Sequence, residues 1–94
     1  MLTGKQRAKL KKLAHKENPI INIGKNSVTD ELIGAVDEAL EKRELVKIKI
    51  LNNNLDDPDY IIEELLEKLD AEFVSYIGNI ITIYRQSKEK KIIL

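Results

Sequence analysis

Ninety-four residues with no cysteine and a single histidine hold enough chain for one domain, and they exclude disulfides, thiolate metal sites and a cysteine–histidine dyad. Sixteen basic and sixteen acidic side chains cancel overall but not locally: residues 1–25 carry +6, residues 26–72 carry −9 and residues 73–94 carry +3. Salt screens charges beyond about 8–10 Å, so the amino-terminal segment acts as a cation whatever the overall balance.

The first sixteen residues contain six cations and no apolar segment of a secretory leader, and no apolar run approaches the ~20 residues of a membrane span. Thr3 to Lys16 reads as a helix. Leu10, Leu13 and Ala14 share one face with Gln6, while Lys5, Lys9, Lys12 and Lys16 project from the other. Asn18-Pro19 ends it, because the residue before proline disfavours helix. Ile20 to Ile23 is a short strand, and Gly24-Lys25-Asn26-Ser27 is a tight loop.

Ser27 is expected to cap the next helix, with Asp30 as its capping-box partner. Val28, Leu32, Ile33, Val36, Ala39 and Leu40 form that helix's apolar stripe. Glu44 to Leu51 is a strand in which Val46, Ile48 and Ile50 alternate with Lys47 and Lys49. A polar loop, 52–57, ends in Asp57-Pro58, a cap followed by proline at the first helical position. Ile61, Ile62, Leu65, Leu66 and Leu69 carry the third helix. Glu72 to Ile77 and Ile80 to Arg85 are strands joined by the two-residue turn Gly78-Asn79.

The order α-β-α-β-α-β-β predicts a single α/β domain with a four-stranded mixed sheet. Two crossovers are expected to make strands 1 and 2, then 2 and 3, parallel neighbours, with the hairpin adding an antiparallel strand and helices 2 and 3 packed on the sheet. The domain is placed at 1–86. Residues 87–94 form a charged tail, expected to fray.

Two features carry chemistry. The strand–loop–helix passage through Gly24, Lys25, Asn26 and Ser27 has the make-up of a phosphate seat: a glycine that admits close backbone approach, a helix amino terminus and a cation at the tip. An ordinary capped turn is the plainer reading, and Asp30 and Glu31 already complement the helix dipole. The first helix is the second feature. A lysine run is usually just a solvated face, but such a face mixes in acids, and none precedes Glu17. Its cations would neutralise the phosphates of a nucleic acid. The helix lacks the aromatic, broad apolar face of a membrane binder. His15 reads as a helix-end residue and Tyr76 and Tyr84 as packing residues before base-stacking ones. The clusters Asp56-Asp57-Asp59 and Glu63-Glu64-Glu67 lack the spacing of a calcium loop. No nucleophile–base pair or metal triad is present, which argues against an enzyme.

Leu13-Ala14-His15, Ile23-Gly24-Lys25-Asn26, Glu44-Leu45-Val46-Lys47 and Ile77-Gly78-Asn79 through Tyr84-Arg85, in this order, resemble the CRM domain, named for chloroplast RNA splicing and ribosome maturation, and most of all its small bacterial YhbY type. The resemblance spans residues 2 to about 86. It implies an RNA-binding domain whose sheet is similar to the C-terminal domain of translation initiation factor three, and an association with precursors of the large ribosomal subunit. The family's Gly-x-x-Gly loop, likened to the backbone clamp of KH domains, falls on Gly24 to Ser27. Here the fourth position is serine.

The expectation is a cytoplasmic, monomeric, non-catalytic protein that binds ribosomal RNA without cofactor, membrane or small-molecule substrate. Gly24, Lys25, Asn26 and Ser27 would hold phosphates. Lys5, Lys9, Lys12 and Lys16 would add sequence-independent attraction, with Arg7, Lys11 and Arg85 as flanking contacts. The competing expectation is a protein-interaction module that docks a basic partner on its acidic helices. The two predict different uses for the positive and negative surfaces, which should lie on opposite sides of the fold if the acids are to face away from RNA.

Overall fold

Thr3 opens the first helix through a reciprocal pair of hydrogen bonds: its hydroxyl accepts from the Gln6 backbone N–H, and the Gln6 side chain accepts from the Thr3 N–H. In the computed structural model, which describes residues 2–94, seven elements follow in the expected order. They are α1 (Gly4–Ala14), β1 (Ile21–Ile23), α2 (Asp30–Arg43), β2 (Leu45–Ile50), α3 (Pro58–Leu69), β3 (Glu72–Ile77) and β4 (Ile80–Tyr84). Met1, the first residue of the domain expected at 1–86, lies outside the described residues.

The sheet order is β1-β2-β4-β3. Strands β1 and β2 are parallel neighbours as expected, with Ile21 opposite Ile48 and Ile23 opposite Ile50. Strands β2 and β3 are not neighbours, which corrects the second expected pairing: β4 inserts between them and runs antiparallel to both. The reason lies in β4 itself. Ile81, Thr82, Ile83 and Tyr84 are all buried, so the strand needs cover on both faces and both edges. Strand β3, with a bulge between Phe73 and Ser75 and a largely exposed Ile77, takes the edge instead. Gly78 (φ 58°) and Asn79 (φ 64°) both adopt the left-handed conformation that a tight hairpin demands.

The two sheet faces bury different partners. Val46, Ile48, Ile50, Ile81 and Ile83 meet Val36 and Leu40 of α2 and Ile61, Leu65 and Leu69 of α3. On the opposite face, Leu45, Val74 and Tyr84 meet Leu10 and Ala14 of α1. Helix α1 therefore covers the face that α2 and α3 leave open.

Two further expectations are corrected. Ser27 does not cap α2: the cap is Thr29, whose hydroxyl accepts from the Leu32 N–H, and Asp30 is the first helical residue. The tail, expected to stand free, packs back on the domain. Ser87 is buried, Ile92 packs against the Leu10–Tyr84 cluster, and the Glu44 carboxylate accepts hydrogen bonds from the backbone N–H groups of Ser87, Lys91 and Ile92.

Candidate nucleic-acid interface

Strand β1 ends at Ile23, whose carbonyl accepts from the Leu51 N–H at 2.9 Å. The Gly24 carbonyl then accepts twice, from the Ser27 N–H at 3.0 Å and from Asn54 Nδ2 at 2.9 Å. One bond closes the turn and the other pins it to the loop that follows β2. Lys25 and Asn26 stand exposed at the tip. A shallow hollow of about 470 Å³ lies between them, Asn22 and the first turn of α2.

The conformational demand in this loop falls on Ser27, which has φ 57°, a left-handed backbone that glycine adopts freely and serine does not. Gly24 has no such φ, and a Cβ built on it would meet the Asn53 side chain at 3.7 Å and the Leu51 side chain at 4.0 Å, ordinary contacts. The free fold thus has use for glycine at the fourth loop position, where this chain has serine, and tolerates a side chain at the first. A glycine at the first position leaves the half-buried loop backbone without a side chain, which eases the close approach of a phosphate.

Helix α1 carries five cations and no acid, whereas α2 and α3 together carry nine acids and three cations. Because α1 packs on one sheet face and α2 and α3 on the other, the charge asymmetry of the sequence becomes an asymmetry of surfaces. Only part of the α1 face of the sheet is covered. Lys11, Ala14 and His15 form one wall of a groove of about 280 Å³, and Lys47, Ser75, Ile80 and Thr82 supply its floor and far wall.

The strand registers connect this groove with the loop. Ile77 stands opposite Ile80, Ile80 opposite Lys49, and Lys49 opposite Asn22. Paired residues point to the same side, so this row crosses all four strands on the α1 face and ends at Asn22, two residues before Gly24. Lys49 and Asn22 are exposed. Sequence reading left Lys47 and Lys49 out of the candidate site. The signal was present: they alternate with the buried residues of β2, and so occupy the face that α1 only half covers.

The candidate cations divide into two sets. Lys5, Lys11, Lys12, Lys16, Lys25 and Lys49 make no ion pair or side-chain hydrogen bond among the described residues. The others are engaged. Arg7 Nε donates to the Phe73 carbonyl at 3.1 Å, Lys9 Nζ donates to the Ile93 carbonyl, and Lys47 Nζ donates to the Glu17 carbonyl at 3.3 Å. Arg85 is the most committed. Its guanidinium holds the Asp37 carboxylate at 2.8 Å, the Asp37 carbonyl at 3.1 Å and the Leu69 carbonyl at 3.0 Å, bracing β4 against α2 and the end of α3. Arg85 is thus spent on the fold's acidic side, away from α1.

The tyrosines offer no stacking platform on this face. Tyr84 is buried among Leu10, Leu45 and Val74; burial, and then the nearby Glu44 charge, push its hydroxyl above the ordinary tyrosine value. Tyr76 packs toward α2 and α3 and donates to Asn79 Oδ1. Of the acids, Asp57 caps α3, and Glu64 pairs with Lys68, holding that ammonium above its usual value. No group of three or more metal-ligating side chains is gathered among the described residues, and no helix there is long and apolar enough to cross a membrane.

The model of the CRS1 / YhbY (CRM) domain matches residues 2–85. A Bacillus subtilis (strain 168) protein named Probable RNA-binding protein YqeI is 43% identical over 91 residues, which cover 97% of this chain and 95% of that one. A Haemophilus influenzae protein named RNA-binding protein is 36% identical over 91 residues, 97% of this chain and 92% of that one. Among solved structures, the solution structure of a Staphylococcus aureus protein superimposes with a TM-score of 0.82 at 47% identity, covering 97% of this chain and 95% of that chain.

Proposed function

The chain belongs to the CRS1 / YhbY (CRM) domain family, and on that premise we propose that it is a non-catalytic protein that binds RNA on the α1 face of its sheet. The observation that carries this reading is the cross-strand row from Ile77 through Ile80 and Lys49 to Asn22. It runs from the basic wall of α1, on the sheet face opposite α2 and α3, to within two residues of the Gly24–Ser27 loop, whose own hollow is bordered on the α2 side by Asp30 and Glu31. Lys25 and the bare backbone of Gly24 hold phosphates at the sheet edge. Lys11, Lys12, Lys16 and Lys49 continue the positive track, and Lys5 extends it along α1. Phosphate contacts of this kind fix position and supply attraction without reading sequence. The relatives named for RNA binding support the choice of RNA as the partner.

The resemblance to the bacterial YhbY type points further, to ribosomal RNA precursors in assembly of the large subunit, met by a cytoplasmic monomer. Crosslinking in cells followed by sequencing of the bound RNA tests this: reads concentrated in precursors of large-subunit RNA are expected, and an even spread over cellular RNA contradicts it. The site itself is tested by gel shift with the double variant Lys25→Glu, Lys12→Glu. The variant should fold as the parent does, since both side chains are exposed and unpaired, and should shift RNA only at much higher protein concentration. Undiminished binding removes the loop and helix from the interface. Undiminished RNA binding in the lysine variants, together with binding of a basic peptide such as polylysine that charge reversal on α2 and α3 abolishes, favours the competing protein-docking reading.

A further inference from the structure

We propose that the groove between α1 and the uncovered strands is a pocket for one unpaired nucleobase, so that the protein selects single-stranded over double-stranded RNA. The inference rests on the RNA-binding reading above and deepens it.

The key residue is Thr82. It is only 1% exposed, lines the groove, and its hydroxyl has no hydrogen-bond partner among the described residues. The hydroxyl is not sealed in the core but opens on the groove, where a ligand atom or water can complete its bonding. Ser75 stands opposite Thr82 in register, half-buried and likewise without a partner, so the floor presents two hydroxyls side by side, each able to donate and accept. That is what the polar edge of a base requires. Ile80, next along β4 on the same face, supplies an apolar side for the ring, and Lys11 and His15 stand on the α1 wall, where the flanking phosphates would run.

Size and rigidity agree with this. A volume of about 280 Å³ lies just under the ~300 Å³ lower bound of drug-sized ligand pockets, which suits a single base and not a folded helix. The floor is sheet, fixed by pairing on both sides of β4, so the hydroxyls are held in place before RNA arrives. A base in an A-form duplex cannot reach such a floor, because its edges are paired and its major groove is too narrow to enter. An unpaired strand tracking from Lys25 past Lys49 can turn a base into it.

The test measures affinity for a labelled single-stranded oligoribonucleotide and for a hairpin duplex of the same length. Four proteins are compared: the parent, Thr82→Val, Ser75→Ala and Lys25→Glu. The parent should prefer the single strand. Thr82→Val, which keeps the shape and removes the hydroxyl, should lose about three- to tenfold in single-strand affinity with duplex affinity unchanged. Ser75→Ala carries the same expectation and decides the matter if Thr82→Val does not fold. Lys25→Glu should weaken both RNAs alike. Equal affinity of the parent for both RNAs, or hydroxyl variants that bind the single strand as the parent does, overturns the pocket while a Lys25→Glu defect keeps the RNA-binding reading intact. No binding of either RNA by the parent overturns both.

Discussion

The Glu44 carboxylate and Ser87 are joined twice: Oε2 accepts from the Ser87 backbone N–H at 2.7 Å and from its hydroxyl at 2.6 Å. The same carboxylate takes the Lys91 N–H at 3.0 Å and the Ile92 N–H at 2.6 Å. A fully buried charge at the end of α2 thus folds the tail over the cluster that seats α1, with four donors in place of a cation. Burial alone would favour the neutral acid. The bonds from Ser87, Ile92 and Lys91 outweigh it and hold the carboxyl below the ordinary glutamate value.

Glu44→Gln is therefore expected to lower stability by about 2 kcal/mol, since the amide presents N–H groups to donors that need an acceptor. The pH dependence follows from the lowered value. The unfolded chain takes up the proton first, so the stabilisation is complete above about pH 4.5 and is lost as pH falls through the lower folded value. Urea melts of parent and variant should differ at neutral pH and converge in acid. A constant difference down to the acid limit contradicts the assignment.

Ser27 and Gly24 make opposite predictions. Ser27→Gly relieves the left-handed backbone and should raise stability by about 0.5–1 kcal/mol after glycine's extra chain entropy is counted, with RNA affinity kept. Gly24→Ala meets no clash and no unfavourable φ, so stability should change by less than about 0.5 kcal/mol. Its RNA affinity should fall, because the added methyl thickens the loop backbone beside Asn53 that is to hold a phosphate. Paired melting and binding curves check both, and a stability loss at Gly24→Ala without a binding loss reverses the assignment.

Arg85 should behave as a brace. Arg85→Ala removes the links to Asp37 and Leu69 and should cost about 1–2 kcal/mol, discounted for a side chain that is one-fifth exposed. At a temperature where the variant is folded, its RNA affinity should match the parent's. A binding loss without a melting shift would return Arg85 to the interface.

Much of this architecture was legible in the residues. Alternation in Val46, Ile48 and Ile50, the Asp57-Pro58 start of α3 and the Gly78-Asn79 turn placed their elements almost to the residue. The position of β4 was harder to read. A hairpin makes β3 and β4 neighbours but leaves open which of them faces β2, and only the apolar make-up of both faces of β4 points inward. The tail's anchoring is hard to read because three of its four donors are backbone N–H groups, which leave no mark in sequence, and the acceptor is a glutamate that reads as the start of a strand. Serine suits a cap chemically, which is why Ser27 reads as one; Thr29, two residues on, has the extended backbone a cap needs, whereas Ser27 is left-handed. Lys25 and the α1 lysines enter the candidate site on their charge, whereas Lys47 and Lys49 enter it only through the strand register.

The most direct measurement is the salt dependence of affinity for single-stranded RNA, in the parent and in the double variant Lys25→Glu, Lys49→Glu. Neutralising about five phosphates predicts a slope of log affinity against log salt near −3.5 for the parent, shallower by about 1.4 in the variant, as two contacts are lost. An affinity indifferent to salt, or an unchanged slope in the variant, contradicts a positively charged sheet face as the RNA-binding surface.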